Sequence, residues 1–218
     1  MYKHCDLPQH GDGELVVEIG CGAGGILKTF AEKGYQVKGV DLDKNYLNYG
    51  KEFHGLALEY GNIEELKLSR HPKVIIYSHV LEHILDLQDQ LKKINDLSNE
   101  ETLIYIEVPG IKNIHKQYKS DLLLYLQNSH VYHFSLNTLV NLFQLNGFRL
   151  KHGDEFVRSV FCKSNTSELM YDEYNNIRKY LERIARYRIF NPFTPRNIIL
   201  MAKRIINKLT LLSGKTGH

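Results

Sequence analysis

Cysteine is scarce in this sequence. Cys5, Cys21 and Cys162 are the only three in 218 residues, and at such wide spacing they cannot build a disulfide framework. A reducing compartment is the simplest setting, and a cytoplasmic location is expected. Long apolar runs are also missing: nothing approaches the roughly 18 uninterrupted apolar residues of a membrane span, and residues 1–14 lack the apolar core of a signal peptide. There are five prolines, and none interrupts a stretch with helical periodicity. With 43% hydrophobic and 24% charged residues, the chain has the makings of an ordinary globular domain rather than a disordered or collagen-like one.

Charge is unevenly spread. From residue 173 to the end there are ten Lys/Arg against two acids, a net of +8, while the residues before it carry −5. An acidic body followed by a basic tail suggests two parts with different roles, residues 1–165 and a helical extension over 166–218. Within the tail, 197–212 sets Ile198, Ile199, Met201, Ile205, Ile206 and Leu209 on one helical face, with Lys203, Arg204 and Lys208 largely opposite. Such a helix is expected to pack on its own domain or on a second subunit, forming a homodimer. A peripheral contact with an anionic membrane is the alternative. Nucleic acid is disfavoured, because the body is acidic and no RNA-binding module is recognisable.

From residue 15 to about 163, short β-branched runs alternate with helical patterns, the layout of a parallel sheet with crossover helices. Strands are expected over 15–19, 36–41, 56–60, 73–78 and 102–108. Helices are expected over 25–33, 44–53, 86–97 and 136–146. Residues 148–152 and 156–163, joined by Gly153-Asp154, read as a closing antiparallel hairpin. The expected fold is thus a doubly wound, mostly parallel seven-stranded α/β sheet followed by the helical tail. Residues 110–131 have no clear place in the alternation, and an insertion at strand ends is where specificity elements sit.

The first strand runs into Glu18-Ile19-Gly20-Cys21-Gly22-Ala23-Gly24-Gly25. Glycines serve there because a ligand must approach the backbone closely, and an ordinary turn would be destabilised by so many. On spacing alone the loop also satisfies a dinucleotide fingerprint, with Asp41 about 20 residues on, so an NAD-binding dehydrogenase stays open. Glu18 argues against it: a carboxylate at the strand end repels a pyrophosphate and attracts the ammonium of an amino-acid ligand.

Taken together, Glu18 to Gly24, Gly39-Val40-Asp41-Leu42-Asp43, Gly61-Asn62-Ile63 and Val80-Leu81-Glu82-His83 with Asp86 resemble the successive motifs of class I S-adenosylmethionine-dependent methyltransferases. The run His130 to Ser135, ending at Asn146-Gly147-Phe148, is similar to the branch containing the ubiquinone-biosynthesis O-methyltransferases and small-molecule methyltransferases. The resemblance covers residues 14–163. It implies S-adenosyl-L-methionine as cofactor, with its methionine moiety on Gly20, Cys21, Gly22 and Gly24 near Glu18 and its ribose hydroxyls on Asp41. Leu42 would pack on the adenine, Asn62 and the Ile63 amide would meet its edge, and Ser78 would complete the set. The family more often has aspartate at position 62. Asp43 reads as a helix N-cap rather than a ligand contact.

Methyl transfer is an in-line displacement, and a hydroxyl acceptor needs its proton removed. His79 is the first candidate base and His130 the second. The same branch carries a divalent ion on an acid at position 79 followed by the Glu-His pair. Here His79 replaces the acid, which leaves His79, Glu82, His83 and His130 as a nitrogen-rich ligand set softer than magnesium prefers; helix capping and packing are the expected roles of Glu82 and His83, and no metal is assigned. His79-x-x-Glu82-His83 also matches a zinc-protease pattern, but it follows a strand directly instead of lying on a long helix. The expected acceptor is a small molecule, with a sugar hydroxyl in surface-polysaccharide synthesis the leading reading, because 110–133 is rich in Tyr, His, Gln and Asn. A catalytically silent cofactor-binding protein is the alternative of a different class. About 14 residues precede the first strand, fewer than the family's usual amino-terminal cap, so either the tail takes its place or the chain is a piece of something longer.

Overall fold

The computed structural model describes residues 5–164, 172–190, 198–199 and 202–203. Its centre is a seven-stranded sheet in the order β3-β2-β1-β4-β5-β7-β6, formed by β1 (Leu15–Ile19), β2 (Gln36–Asp41), β3 (Leu58–Tyr60), β4 (Val74–Ser78), β5 (Leu103–Glu107), β6 (Phe148–Gly153) and β7 (Arg158–Lys163). The first five strands are parallel to one another, and β7 enters antiparallel between β5 and β6. The central strands read as continuous apolar runs because both faces are covered. Val16, Val17, Val74, Ile75, Ile76 and Ile104 are all fully buried.

Alternate strand residues feed two cores. On one face Val17, Ile75, Tyr77, Ile104 and Phe161 pack with α3 (Leu87–Leu97) and α6 (Leu136–Gln144). On the other, Val16, Ile76, Tyr105 and Val160 pack with Leu27 and Phe30 of α1 (Gly25–Ala31) and Leu47 of α2 (Lys44–His54). Local chemistry sets the helix starts. The Asp43 side chain accepts from the N–H groups of Asn45 and Tyr46, as expected of an N-cap, and Asp86 accepts from Asp89. Ser135 and Thr138 form a reciprocal capping box at α6.

Two strands start two residues later than the sequence expectation. β3 begins at Leu58 rather than at 56, because Leu56 turns its N–H back to Gly50 in the link from α2. β7 begins at Arg158 rather than at 156, because 154–157 closes as a turn: the Val157 N–H donates to the Asp154 carbonyl at 2.9 Å, and Asp154 Oδ1 accepts from the Arg158 N–H at 3.3 Å.

The described chain divides into two units. The sheet and its helices, with residues up to Lys112 and from Asn128 to Glu173, make up one. The 113–127 stretch, which contains α4 (Ile114–Gln117) and α5 (Leu122–Tyr125), groups with α7 (Tyr174–Phe190) in the other. Within that second unit His115 Nδ1 lies 3.0 Å from the Tyr180 hydroxyl, and the rings of Tyr118 and Tyr125 meet edge to face. Apart from Ile198, Ile199, Ala202 and Lys203, the amphipathic stretch expected over 197–212 lies outside the described residues.

Candidate functional site

The strand order reverses between β1 and β4, which opens a crevice at the carboxyl edge of the sheet. The glycine loop after β1 lines it. Gly20, Gly22 and Gly24 have φ of 69°, 52° and 76°, a region that side chains other than glycine rarely adopt. At Gly20 the requirement is double: a Cβ there would stand 2.3 Å from Val80 Cγ2. The glycine loop therefore touches the segment that leaves β4.

Glu18, on β1, is 3% exposed. The Leu27 N–H hydrogen-bonds to its carboxylate, but Oε2 has no partner among the described residues. Burial, reinforced by the nearby charge of Asp41, pushes its pKa up to about 8. A buried acid with an orphaned oxygen is a receptor for a cation, and an ammonium group meets that need. Burial, with Glu18 and Asp41 adding to it, holds the neighbouring Cys21 thiol up at about 12, so Cys21 packs the loop and is no nucleophile.

Asp41 ends β2 and ties two turns together. Its Oδ2 accepts from the Gly22 N–H at 2.7 Å, and its Oδ1 from the Asp43 N–H at 2.8 Å. Each oxygen keeps capacity for a further hydroxyl donor. Leu42 stands 66% exposed beside it, an apolar surface open at the crevice edge. Asn62 is already engaged: its Oδ1 accepts from Glu64 N–H at 2.9 Å and Glu65 N–H at 3.4 Å, which leaves mainly the NH2 group for an outside partner. The Ile63 side chain is buried in the core, so only its backbone faces a ligand. Glycines that a Cβ would jam, an unpaired buried acid and an aspartate at the end of the second strand together fit the amino-acid and ribose ends of S-adenosylmethionine.

A second cluster follows β4. His79 takes φ 57°, a left-handed conformation uncommon outside glycine. Its N–H donates to the Glu107 carbonyl at 2.8 Å, and its Nδ1 lies 3.6 Å from Glu82 Oε1. The Glu82 carboxylate facing Nδ1 raises the His79 pKa against a smaller opposing effect of burial. Glu82 sits in a short 3-10 turn (Leu81–His83) and is 1% exposed. Its backbone carbonyl accepts from the N–H groups of Val131 and Tyr132, which brings His130 to the turn. His83 Nε2 and His130 Nε2 lie 3.9 and 4.0 Å from the same Oε1.

Neither oxygen of Glu82 has a hydrogen-bond partner among the described residues. His83 Nδ1 lies 2.8 Å from the Ser129 carbonyl and must carry its proton there. In the neutral ring, Nε2 then aims a lone pair at the Glu82 carboxylate. Burial lowers the pKa of His130, whose side chain is 6% exposed. Donor atoms of Glu82, His83 and His130 all lie within 4.8 Å of one another. Such a group must share a proton or hold a cation. With two imidazoles, the set suits a transition-metal ion better than magnesium. His79, with its side chain 59% exposed, is the member that faces outward. His133 lies beside His130, their ring centres 6.0 Å apart, and Tyr132 stacks on Phe134.

Residues 7–152 match the family described as "Methyltransferase domain". The C-methyltransferase NovU of Streptomyces niveus is 29% identical over 146 residues, covering 64% of this chain and 34% of that protein. The ubiquinone biosynthesis O-methyltransferase of Ralstonia nicotianae is 34% identical over 82 residues, 34% of each chain. The chain thus spans about a third of the length of these curated relatives. Among solved structures, an S-adenosylmethionine-dependent methyltransferase from Mesorhizobium loti shares the fold with a TM-score of 0.55 at 17% identity, covering 72% of this chain and 92% of that one. The chain belongs to the class I S-adenosylmethionine-dependent methyltransferase family. The dehydrogenase alternative falls with this match and with the buried acid in the glycine loop.

Two polar residues of the carboxyl edge were not singled out from sequence, Glu107 and Arg158. Glu107 pairs in register with Ser78 on one side and with Arg158 on the other. The only local signal was position, Glu107 standing just before Val108-Pro109 at a strand end.

Proposed function

We propose that this chain transfers the methyl group of S-adenosylmethionine to a hydroxyl of a small molecule, with His79 as the base. The observation that carries this reading is His79 itself. It is held in a strained conformation by the Glu107 carbonyl and tethered through Nδ1 to a buried carboxylate. Its ring is exposed, and the next residue, Val80, packs against Gly20 of the donor loop. When bound, S-adenosylmethionine supplies a methyl already activated on a sulfonium.

The chain's own residues have three tasks. Glu18 neutralises the ammonium of the donor, Asp41 fixes the ribose while holding Gly22 in place, and His79 Nε2 removes the acceptor's proton. Glu82 makes that removal easier, since it stabilises the imidazolium that results. His130 is the second candidate base, and its lowered pKa leaves it neutral and able to accept a proton. The relatives, named as C- and O-methyltransferases, leave the acceptor atom to experiment, and a surface-polysaccharide sugar remains the leading acceptor class. Calorimetry with S-adenosylhomocysteine tests the donor half, with micromolar binding expected and abolished by Asp41→Ala. Turnover of methyl-labelled donor against a panel of hydroxyl, amine and carbon acceptors tests the rest. His79→Gln is expected to lower turnover by about 10²–10⁴ on a hydroxyl acceptor with unchanged donor affinity. Equal turnover by the variant would remove His79 from the mechanism.

A second reading is favoured by the lone pairs converging at Glu82, His83 and His130: a divalent transition-metal ion held there would lower the acceptor hydroxyl's pKa in place of a base. Elemental analysis of the purified protein separates the two. One equivalent of metal, lost in His130→Ala, supports the ion. A metal-free protein with full turnover supports the base.

A further inference from the structure

The carboxyl edge carries a polar row in which the resemblance gave Ser78 to the cofactor and the chemistry above leaves the Glu107 and Arg158 side chains unused. Ser78, Glu107 and Arg158 are directly opposite one another on β4, β5 and β7, so their side chains leave the sheet on one face. The Glu107 carboxylate is held at both oxygens: Tyr105 Oη donates to Oε2 at 2.8 Å and Arg158 Nε to Oε1 at 3.1 Å. Tyr105 is 1% exposed and anchors the pair from below. Above it the pair opens to solvent, with side-chain exposures of 24% for Glu107 and 43% for Arg158. The Arg158 guanidinium also lies over the Phe156 ring at 5.5 Å, which restrains its plane. Among the described residues neither Nη group has a hydrogen-bond partner of its own. The row is continuous with the reaction centre, since the Glu107 carbonyl holds the His79 N–H.

We infer that Arg158 and Glu107 form the acceptor-binding plate of the methyltransferase site, and that the acceptor they select is a neutral, hydroxyl-rich molecule. This inference rests on the methyl-transfer reading and deepens it. The pair lies on the strands next to the one that ends at His79, whose N–H the Glu107 carbonyl holds. Its charge decides the class of ligand. A bare guanidinium selects carboxylate or phosphate through its fork of donors. Here the charge is spent, because Glu107 is in contact and Asp154 adds a second acid to the neighbourhood. An anion arriving at that plate meets two carboxylates and one guanidinium. A cation would have to compete with Arg158 itself.

A neutral polyol meets neither obstacle. Its oxygens accept from the two Nη groups, and its hydroxyls donate to the second lone pairs of Oε1 and Oε2, each of which accepts only one bond at present. Neighbouring hydroxyls on one ring supply the alternating acceptor and donor that such a plate requires. Ser78, which can donate or accept, continues the same pattern toward β4. A purely structural cross-strand salt bridge would have no reason to select among ligands, and that difference can be measured.

The test uses the full chain saturated with S-adenosylhomocysteine, followed by nitrogen–proton correlation spectra reading the Arg158 side-chain N–H and the Ser78 and His79 amides. The probes are myo-inositol and methyl glucopyranoside as neutral polyols, glucuronate and glucose 6-phosphate as anions, and glucosamine as a cation. Saturable shifts at all three reporters are expected with the neutral probes, at affinities on the order of millimolar, with at least about tenfold weaker binding of the charged ones. Arg158→Gln is expected to abolish the shifts. Glu107→Gln unmasks the guanidinium and is expected to reverse the preference toward glucuronate, a change that loss of a merely structural bridge would not produce. Donor affinity should be unchanged in both variants. No shift with any neutral polyol, preference of the wild type for an anion, or unchanged binding by Arg158→Gln would overturn the inference. Failure of S-adenosylhomocysteine to bind would instead strike the methyl-transfer reading beneath it.

Discussion

Donor binding should release a proton, and Glu18 is its source. In the ligand-free protein the Glu18 carboxyl titrates at about 8 because it is buried beside Asp41 with one oxygen unpaired. At neutral pH it is mostly the neutral acid, whereas the ammonium of S-adenosylhomocysteine calls for the carboxylate. Ionising it to receive the ligand costs about 1 kcal/mol at pH 7 and about 3 kcal/mol at pH 5.5, at 1.36 kcal/mol per pH unit. Between those values the ligand's own amine remains protonated, so the dissociation constant should fall about tenfold per pH unit, or about 30-fold across the window. The sign follows from the ligand's charge: the ammonium lowers the raised Glu18 pKa in the complex, so the carboxyl loses its proton on binding and affinity grows as pH rises toward the free-state value. Calorimetry in buffers of different ionisation enthalpy should count close to one proton released per ligand at pH 6. In Glu18→Gln both the proton release and the pH slope should vanish, leaving weak, pH-independent binding. A wild type with a flat profile and no proton release would refute the electrostatic account of Glu18. A slope that survived in the variant would assign the proton to another group.

Three further outcomes are expected. Gly20→Ala should lower stability by about 1–3 kcal/mol, because it combines a positive φ with a Cβ 2.3 Å from Val80. Thermal melts of the variant with Val80→Ala added should recover only the steric part. Ser135→Ala removes the cap of α6, where Thr138 N–H donates to Ser135 Oγ at 3.2 Å, and should cost about 1 kcal/mol in denaturant titration without changing donor affinity. Asp41→Asn should weaken S-adenosylhomocysteine binding by about 2 kcal/mol, roughly 30-fold by calorimetry, because the charge-assisted bonds to Gly22 and to the ribose become neutral ones.

How much of this could be read from the chain depends on whether partners are neighbours along it. Glu18, Gly20 to Gly24 and Asp41 were legible because a strand-end acid, a glycine loop and a second strand-end acid follow one another in a fixed local order. Asp43 and Asp86 were legible as caps, since a cap acts on N–H groups two or three residues away. The gathering of Glu82, His83 and His130 at one edge followed from sheet topology, but the contact that closes it did not. It arises because the Glu82 carbonyl binds Val131 and Tyr132, some fifty residues downstream, and no periodicity encodes that. Arg158 was invisible for a similar reason. A hairpin at the end of the chain pattern can join a sheet at either edge or between strands, and only the insertion of β7 beside β5 brings Arg158 opposite Glu107. At Asn62 the amide oxygen was the group expected to meet the adenine amino group, and the turn after β3 already uses that oxygen for the Glu64 and Glu65 N–H groups.

The antiparallel entry of β7 carries a consequence for how such a scaffold can diversify. The parallel strands present their exits at the carboxyl edge, whereas β7 presents its entrance there, so the tip of the 154–157 turn borders the same rim as the ends of β4 and β5. Adjacent strands lie about 4.8 Å apart, and three such steps separate β1, which bears the donor loop, from β7. The turn can therefore change length and sequence at a remove of about 14 Å from Gly20, outside the hydrogen bonds by which Glu18 and Asp41 hold their loops. With the acceptor plate assigned as we infer, donor and recipient would be governed by opposite flanks of one sheet, and the recipient's flank could vary without disturbing the other.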